Sequence, residues 1–274
     1  MKYPFADLEL ARRLERAEAR GNAAFVEARA KAFPDLGAQW TEIAGTYAMF
    51  DAPGSPITQT FGLGMFEPVT AEQMEEIEQF FRERGAGVFH EVCPLADPSV
   101  FAQINERDYR PIEFSNVLYR PISTDLKLGA SRNEAVYVRL IRDDEVDLWA
   151  ETAFEGWSEF TEVADFLRDL GQVTARSKSL SFLAELDGKP IATGSLSLTN
   201  DVALLAGAST IPSARRQGAQ FALLEERLRY GAAHGCTIAM MVAQPGSASQ
   251  RNAERHGFRI AYTRTKWQLQ EEEV

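Results

Sequence analysis

The stretch TIPSARRQGAQFALLEERL, Thr210–Leu228, decides the fold and the chemistry of this chain. The apolar segment 202–209 before it predicts a strand, a proline marks a turn, and apolar positions after Gly218 recur at helical spacing. The first N–H groups of a helix lack intrahelical partners and carry partial positive charge. Arg215 and Arg216 add two cations there, and Gly218 lets the backbone approach a ligand closely. The sequence therefore predicts a pyrophosphate-binding loop between a strand and a helix.

The spacing of Pro212, Arg215 and Gly218 distinguishes among the known classes of phosphate-binding loop. This P-x-x-R-x-x-G string resembles the acyl-CoA loop of the GNAT acyltransferase superfamily, V-x-P-x-x-[QR]-x-x-G-x-[GA]. The strings of a nucleotide P-loop, G-x-x-x-x-G-K-[ST], and of a dinucleotide-binding turn, G-x-G-x-x-G, do not occur in the sequence. Gln220 stands where the family has a small residue, and we expect it to crowd the loop and reposition the 3′-phosphate end of coenzyme A.

The resemblance implies which residues bind the cofactor. In this superfamily the strand before the loop separates from its neighbour, and its backbone groups hold the pantetheine arm and the acyl carbonyl. The corresponding backbone positions here are Ala208, Ser209, Thr210 and Ile211. The loop and helix start correspond to Arg215, Arg216, Gln217, Gly218, Ala219 and Gln220. The sequence leaves open an ordinary, fully paired strand and a solvated loop.

A second segment, GSASQRNAERHGF, resembles the other cofactor-side helix of the family, N-x-x-A-x-x-L-Y-x-K-x-G-F, and is anchored at Gly257-Phe258. Ser249 and Asn252 are the polar residues expected to contact the thiol or the pantetheine, although a solvated helix face explains them equally well. The tyrosine that protonates the departing thiolate in many members falls on Ala253. The general acid is therefore unknown from sequence.

The general base is also unknown from sequence. Glu155 and Glu185 are candidates, and each can equally be a solvated surface carboxylate. Phe154, Trp157 and Phe160 form an aromatic group that would wall the acceptor pocket in this superfamily, with core packing as the alternative.

The two halves of the chain resemble each other at an offset of 149 residues. NERDYRP around Tyr109 parallels AERHGFR around Phe258, and Val92 falls opposite Met241 in matching short strands. At the position of the cationic loop, the first half has MFEPVTAEQMEE, which contains four glutamates and neither arginine nor glycine. Because carboxylates there would repel a pyrophosphate, we expect only the second half to bind coenzyme A.

These observations predict an α/β (α+β) chain of two tandem GNAT-like acyl-CoA N-acyltransferase domains, each with a mixed, largely antiparallel sheet flanked by helices. Residues 1–125 would be a degenerate domain without the pyrophosphate loop, 126–134 a linker, and 135–274 the acetyltransferase domain with the acetyl-CoA site. Periodicity and turn residues predict helices over 6–32, 70–84, 98–107, 145–157, 160–170, 220–234 and 247–256. They predict strands over 40–50, 57–66, 88–92, 109–119, 135–141, 180–186, 189–198, 202–210 and 238–242, and a strand or hairpin over 258–270.

Composition limits the class of protein. The 274 residues are 45% hydrophobic and 25% charged, which is ordinary for a globular chain, and the net charge of −11 argues against nucleic-acid binding. No apolar run is long enough to span a membrane, and the charged N-terminal segment lacks the apolar core of a signal peptide. Cys93 and Cys236 imply no disulfide framework, and no His, Cys or Asp cluster has metal-ligand spacing. We expect a cytoplasmic monomer or homodimer without a metal.

The expected function is transfer of an acetyl group from acetyl-CoA, a co-substrate, to a primary amine, with a small molecule as the acceptor. The amine would attack the thioester directly, without a covalent enzyme intermediate. Two other functions stay open: a non-catalytic acyl-CoA-binding or sensing module, and an acetyltransferase acting on protein N-termini or lysines.

Overall fold

The computed structural model describes residues 2–126, 133–159 and 164–270, which form two compact units. One consists mainly of residues 120–241, and the other joins residues 3–119 to residues 242–270. We call them the 120–241 unit and the 3–119/242–270 unit. No helix in the described ranges is long and apolar enough to cross a membrane.

The helices and strands are numbered in chain order. The helices are α1 Leu8–Ala32, α2 Ala71–Arg82, α3 Pro98–Glu106, α4 Val146–Gly156, α5 Ala164–Arg176, α6 Ala219–Ala233 and α7 Ala248–Arg255. The strands are β1 Gln39–Ile43, β2 Thr46–Phe50, β3 Gln59–Phe61, β4 Phe89–Val92, β5 Tyr109–Pro121, β6 Val136–Leu140, β7 Leu180–Leu186, β8 Lys189–Thr199, β9 Val202–Thr210, β10 Ile238–Ala243 and β11 Arg259–Leu269.

In the 3–119/242–270 unit the strand order is β1-β2-β3-β4-β11-β5. All neighbouring pairs are antiparallel except β3 and β4. The last strand of the chain, β11, therefore lies between two strands of the first half. Because β11 pairs with strands of the first half, the compact units do not follow the linear order of the predicted domains. The predicted domain boundaries stay a prediction.

The sequence offset of the predicted internal repeat, 149 residues, recurs where β5 pairs with β11. Ser115 lies opposite Arg264 in the register, and the two residues are 149 positions apart, the offset found in the sequence. Asp108 and Gly257, which are also 149 positions apart, both adopt left-handed backbone conformations, with φ of 49° and 77°, just before these strands. The pair β5 and β11 thus has an approximate two-fold relation centred on Ser115 and Arg264.

A buried ionic cluster joins β11 to helix α1 and strand β4. Arg264 is fully buried and donates to Glu18 Oε2 at 2.6 Å, while its Nε lies 3.2 Å from Glu91 Oε2. Glu15, also buried, accepts from Tyr262 Oη at 2.8 Å. Burial, with help from the nearby carboxylates of Glu18 and Glu91, raises the pKa of Glu15 to about 7, although Arg264 opposes the shift.

In the 120–241 unit the strand order is β10-β9-β8-β7-β6, with only β9 and β10 parallel. The predicted strands 180–186 and 189–198 form a hairpin, and its turn residues Asp187 and Gly188 both have positive φ, as a tight turn requires. Trp149 of α4 is buried and donates its indole N–H to Phe182 O at 2.9 Å, which fixes this helix on the sheet. The predicted fold class, mixed and largely antiparallel sheets flanked by helices, is confirmed.

Two predicted strands are wrong in extent. The segment 40–50 is a hairpin of β1 and β2, because Ala44 and Gly45 adopt φ of 47° and 72° and reverse the chain without an Asn-Gly or Asp-Gly signal. The predicted strand 57–66 is reduced to β3. The predicted helix 160–170 is described from Ala164, so Phe160 lies outside the described residues, as does most of the predicted linker.

Candidate active site

The end of β9 is open on one side. Its parallel pairing with β10 ends at Leu204, opposite Met240, whereas its pairing with β8 continues to Thr210. The Ile211 N–H then donates to Ile191 O at 3.0 Å, which extends the contact with the β8 side. Ala208 is exposed, and Thr210 and Ile211 are half-buried. The strands β9 and β10 therefore separate, and the backbone of 205–210 borders the gap.

The last turn of α4 packs directly on this strand end. Ser209 is buried, and its hydroxyl lies 2.9 Å from Thr193 Oγ1. A Cβ added to Gly156 would collide with the Ser209 side chain and lie 3.0 Å from Thr210 N. Glycine at the end of α4 thus permits the close approach of helix and strand.

The cationic loop, residues 211–218, follows at once. Pro212–Ala214 form one turn of 3-10 helix, and Arg216 has a φ of 65°, which is unusual for a residue with a side chain. Gly218, with φ of 86°, is the N-cap residue of α6, and no side chain accepts a bond from the first turn there. The N-terminal N–H groups of α6 thus begin beside two arginines.

The two arginines differ in their partners. Arg215 forms an ion pair with Glu159 at 2.7 Å, between two exposed side chains, and the arginine lowers the pKa of that carboxyl group. Arg216 has no carboxylate partner among residues 2–126, 133–159 and 164–270. The loop is tied at Gln217, whose carbonyl accepts from Asn133 Nδ2 at 2.8 Å. A bound anion would therefore compete with Glu159 for Arg215.

Gln220 is held against the end of β9. Its Nε2 donates to Ser209 O at 3.0 Å and to Thr210 Oγ1 at 2.7 Å, while Ala219 beside it is buried. These bonds tie the first turn of α6 to the strand and account for the position of the large side chain. Whether it shifts the 3′-phosphate end of a ligand stays a prediction.

Ser249 and Asn252 lie on α7, in the 3–119/242–270 unit. Ser249 is exposed and Asn252 half-buried, and Ser247 caps the helix by accepting from Gln250 N at 3.1 Å. Ala253, at the position of the family's tyrosine, is buried. The cofactor contacts of Ser249 and Asn252 stay predictions.

The two candidate bases have different surroundings. Glu185 Oε1 accepts from Arg139 Nη2 at 2.7 Å, and the same guanidinium bonds Glu145 at 2.6 Å. Hydrogen bonding to Arg139 lowers the pKa of Glu145 to about 2. Glu185 therefore belongs to an ion-pair network with Arg139 and Glu145. Glu155 is exposed on α4.

The two described aromatic residues of the predicted acceptor pocket, Phe154 and Trp157, also have different surroundings. Trp157 packs against the buried cluster of Trp149, Ala153 and Leu183, so it belongs to the core. Phe154 is half-buried, and the guanidinium carbon of Arg168 lies 4.5 Å from its ring centroid. A role of Phe154 in an acceptor pocket stays a prediction.

Both cysteines are free and buried. Desolvation raises the pKa of Cys93 to about 12 and raises that of Cys236 as well, so neither is set up as a nucleophile. No cluster of three or more His, Cys, Asp or Glu within the described part of the chain could hold a metal ion.

Arg227 is not predictable as a buried residue from its residue type alone, yet it is only 3% exposed on the face of α6 that meets the sheet. Arginine in a helix is usually solvated, as Arg229 of the same helix is. The spacing of Arg227, four residues from both Leu223 and Gly231, which are buried, is the signal that could have placed it inside.

Comparison with protein families gives one match. Residues 142–258 match the model described as the Acetyltransferase (GNAT) family. This range includes the end of β9, the cationic loop and α6. No curated protein sequence matches the chain.

Solved structures share the fold over most of the chain. A GCN5-related N-acetyltransferase from Kribbella flavida has 16% identity and a TM-score of 0.58, covering 92% of this chain and 97% of its own. A conserved protein of unknown function from Staphylococcus epidermidis has 11% identity and a TM-score of 0.59, with 86% and 96% covered. A tandem GNAT protein from the clavulanic acid biosynthesis pathway has 12% identity and a TM-score of 0.55, with 83% and 79% covered. At these identities the likeness establishes the fold.

Proposed function

We propose that the protein is an acyl-CoA-dependent acyltransferase that acetylates a primary amine of a small molecule with acetyl-CoA, on the ground that residues 142–258 match the GNAT acetyltransferase family model. Residues 135–274 would be the catalytic domain, and residues 1–125 a degenerate copy.

The arrangement of β9, the cationic loop and α6 carries this proposal. The strand ends beside a gap, the loop presents Arg215 and Arg216, and α6 begins at Gly218 without a side-chain cap. Backbone N–H groups, a helix dipole and guanidinium groups together suit a pyrophosphate. The diphosphate would lie on residues 215–220, and the pantetheine arm would run along the backbone of residues 208–211.

The chemistry then needs little more than positioning. A backbone N–H near the bound thioester polarises its carbonyl, a neutral amine attacks that carbon, and the C–N bond forms as the C–S bond breaks. The amine proton leaves to water and the thiolate takes a proton. Because Glu185 is paired with Arg139 and Ala253 stands at the tyrosine position, we assign neither proton transfer to a side chain of the described residues.

The net charge of −11 supports an amine acceptor, since an acidic surface attracts a cationic substrate and disfavours polyanions. The resemblance to tandem members of the superfamily supports a small molecule as the acceptor. We propose the acetyl group as the one transferred because it is the common donor group of the family.

Calorimetry with acetyl-CoA tests the proposal. We expect the wild type to bind, and Arg215→Ala combined with Arg216→Ala to weaken binding at least tenfold, because two cations facing the diphosphate are lost. Arg110→Ala is the control, since Arg110 is also an exposed arginine that lies near one carboxylate. Equal affinity of the double variant and the wild type for acetyl-CoA would show that the cationic loop is not part of the binding site.

A panel of small amines, with release of free coenzyme A as the readout, separates the alternatives. Acceptor-dependent thiol release supports the transferase. Binding of acetyl-CoA without turnover on any small amine or peptide would instead indicate an acyl-CoA sensor, and turnover on peptides alone a protein acetyltransferase.

A further inference from the structure

Arg227 of α6 is a buried cation that has no carboxylate partner within the described part of the chain. Its Nη1 donates to Ser195 O at 3.0 Å and to Ala206 O at 3.2 Å, and its Nε donates to Leu223 O at 3.1 Å. Burial lowers its pKa to about 10, so the side chain is charged at neutral pH. Burying a charge that only carbonyl groups compensate is costly, and such a cost requires an explanation.

The two sheet carbonyls that Arg227 binds flank a bulge between β8 and β9. The register pairs Thr193 with Ser209 and Ser195 with Ala206. Two residues of β9, 207 and 208, therefore lie opposite the single residue 194 of β8. Such bulges redirect a strand and interrupt its pairing, and they are common next to active sites.

Both strands are shaped to admit the guanidinium group. A Cβ at Gly194 would lie 2.9 Å from Arg227 Cζ, so only glycine leaves the space. Gly207 adopts a φ of 57°, which the bulge requires and which favours glycine. Ala206 and Ala208 on β9 are exposed. The bulge is thus held by Arg227 from within and is accessible from outside.

The bond to Ala206 O has an electronic consequence. That carbonyl belongs to the same peptide group as the Gly207 N–H. A charge-assisted bond accepted by a peptide oxygen polarises the whole group and makes its N–H a stronger donor. The buried charge of Arg227 therefore acts on the backbone of the bulge, next to the residues proposed to hold the acyl group.

We propose that Arg227 is a positioning residue for acyl transfer, which fixes the bulge at Gly207 and Ala208 and strengthens its backbone donors toward the thioester carbonyl. This role rests on the proposed function, because it assumes that the thioester lies along β9. Arg227 itself does not touch the reacting atoms.

The test compares Arg227→Met, which keeps an unbranched apolar stem but removes the guanidinium group, with Arg227→Lys, which keeps the charge. We expect Arg227→Met to lower kcat at least tenfold while Kd for acetyl-CoA changes less than threefold, because the diphosphate contacts are elsewhere. Arg227→Lys should recover part of kcat. Arg229→Met is the matched control on the same helix, since Arg229 is exposed and bonds only Glu225 among the described residues; it should leave kcat unchanged.

A spectroscopic readout separates polarisation from folding. The carbonyl stretch of bound, isotope-labelled acetyl-CoA should lie at lower frequency in the wild type than in solution, and this shift should shrink in Arg227→Met. If that variant does not fold, Gly194→Ala tests the same bulge, because its methyl group displaces the guanidinium and should lower kcat. The role would be overturned if Arg227→Met kept kcat within twofold of the wild type or left the carbonyl frequency unchanged. It would also be overturned if this variant lost activity, affinity for acetyl-CoA and thermal stability together. Failure of the wild type to bind acetyl-CoA would instead overturn the proposed function.

Discussion

Arg215 and Glu159 form an ion pair of 2.7 Å that joins the cationic loop to the segment following α4. The carboxylate of Glu159 therefore lies where the diphosphate of acetyl-CoA is proposed to bind. Both side chains are exposed, so the pair is weak and can exchange partners.

Glu159→Gln should therefore tighten acetyl-CoA binding about two- to fivefold, because Arg215 no longer has to break its ion pair with Glu159 before it binds the diphosphate. Calorimetry at low salt measures this, and the gain should shrink as salt screens the charges. Asp144→Asn is the control, since it removes a carboxylate from another exposed ion pair, that with Arg142. Weaker binding in Glu159→Gln would mean that Glu159 holds Arg215 in its binding position.

Gly156→Ala should disturb the end of β9. The added methyl group overlaps the Ser209 side chain and approaches Thr210 N, so helix and strand have to separate. Overpacking of this kind costs about 1–3 kcal/mol. We expect a Tm lower by several degrees and weaker acetyl-CoA binding. Glu151→Ala, at an exposed position of the same helix, should change neither quantity. A variant with normal Tm and affinity would show that α4 does not position this strand.

Local patterns predicted the elements around the site well. The strand β9, the β7–β8 hairpin and the start of α6 follow from a short apolar run, a two-residue turn and a glycine, all of which act within a few residues. The predicted start of the helix over 70–84 is likewise confirmed: α2 begins after Thr70, which forms a capping box with Gln73.

Partners distant in sequence were not predictable in this way. The alternating pattern of β11 fits any open strand edge, so nothing local in it indicates that it pairs with β4 and β5. The burial of Glu15, Glu18 and Arg264 depends on that pairing, and the burial of Arg227 depends on the bulge between β8 and β9. Each of these charges is compensated by groups far away in the chain, which periodicity does not detect.

The buried cluster predicts a pH dependence of stability. Folding raises the pKa of Glu15 from 4.5 to about 7, so the folded state binds the extra proton. The resulting stability is present in full below pH 4.5 and is lost as pH rises through 7. The shift corresponds to at most about 3 kcal/mol. The groups facing Glu15 are Arg264, Glu18, Glu91, Tyr262 and Cys93.

Glu15→Gln should therefore raise Tm relative to the wild type at pH 8, and this gain should shrink toward pH 5, where Glu15 is already neutral. The difference between variant and wild type is the quantity to measure, because buried His90, whose pKa burial lowers to about 3, changes stability in the opposite direction in both proteins. Glu18→Gln should lower Tm, since it weakens the direct bond to Arg264. Parallel Tm curves for wild type and Glu15→Gln would contradict the shift.

The position of β11 between β4 and β5 also constrains biosynthesis. During translation, β4 and β5 leave the ribosome well over a hundred residues before the strand that separates them. Until then each has an unpaired edge, which can recruit a strand from a neighbouring nascent chain. The same β11 from a second molecule would pair in the same way, which is the geometry of a domain-swapped dimer.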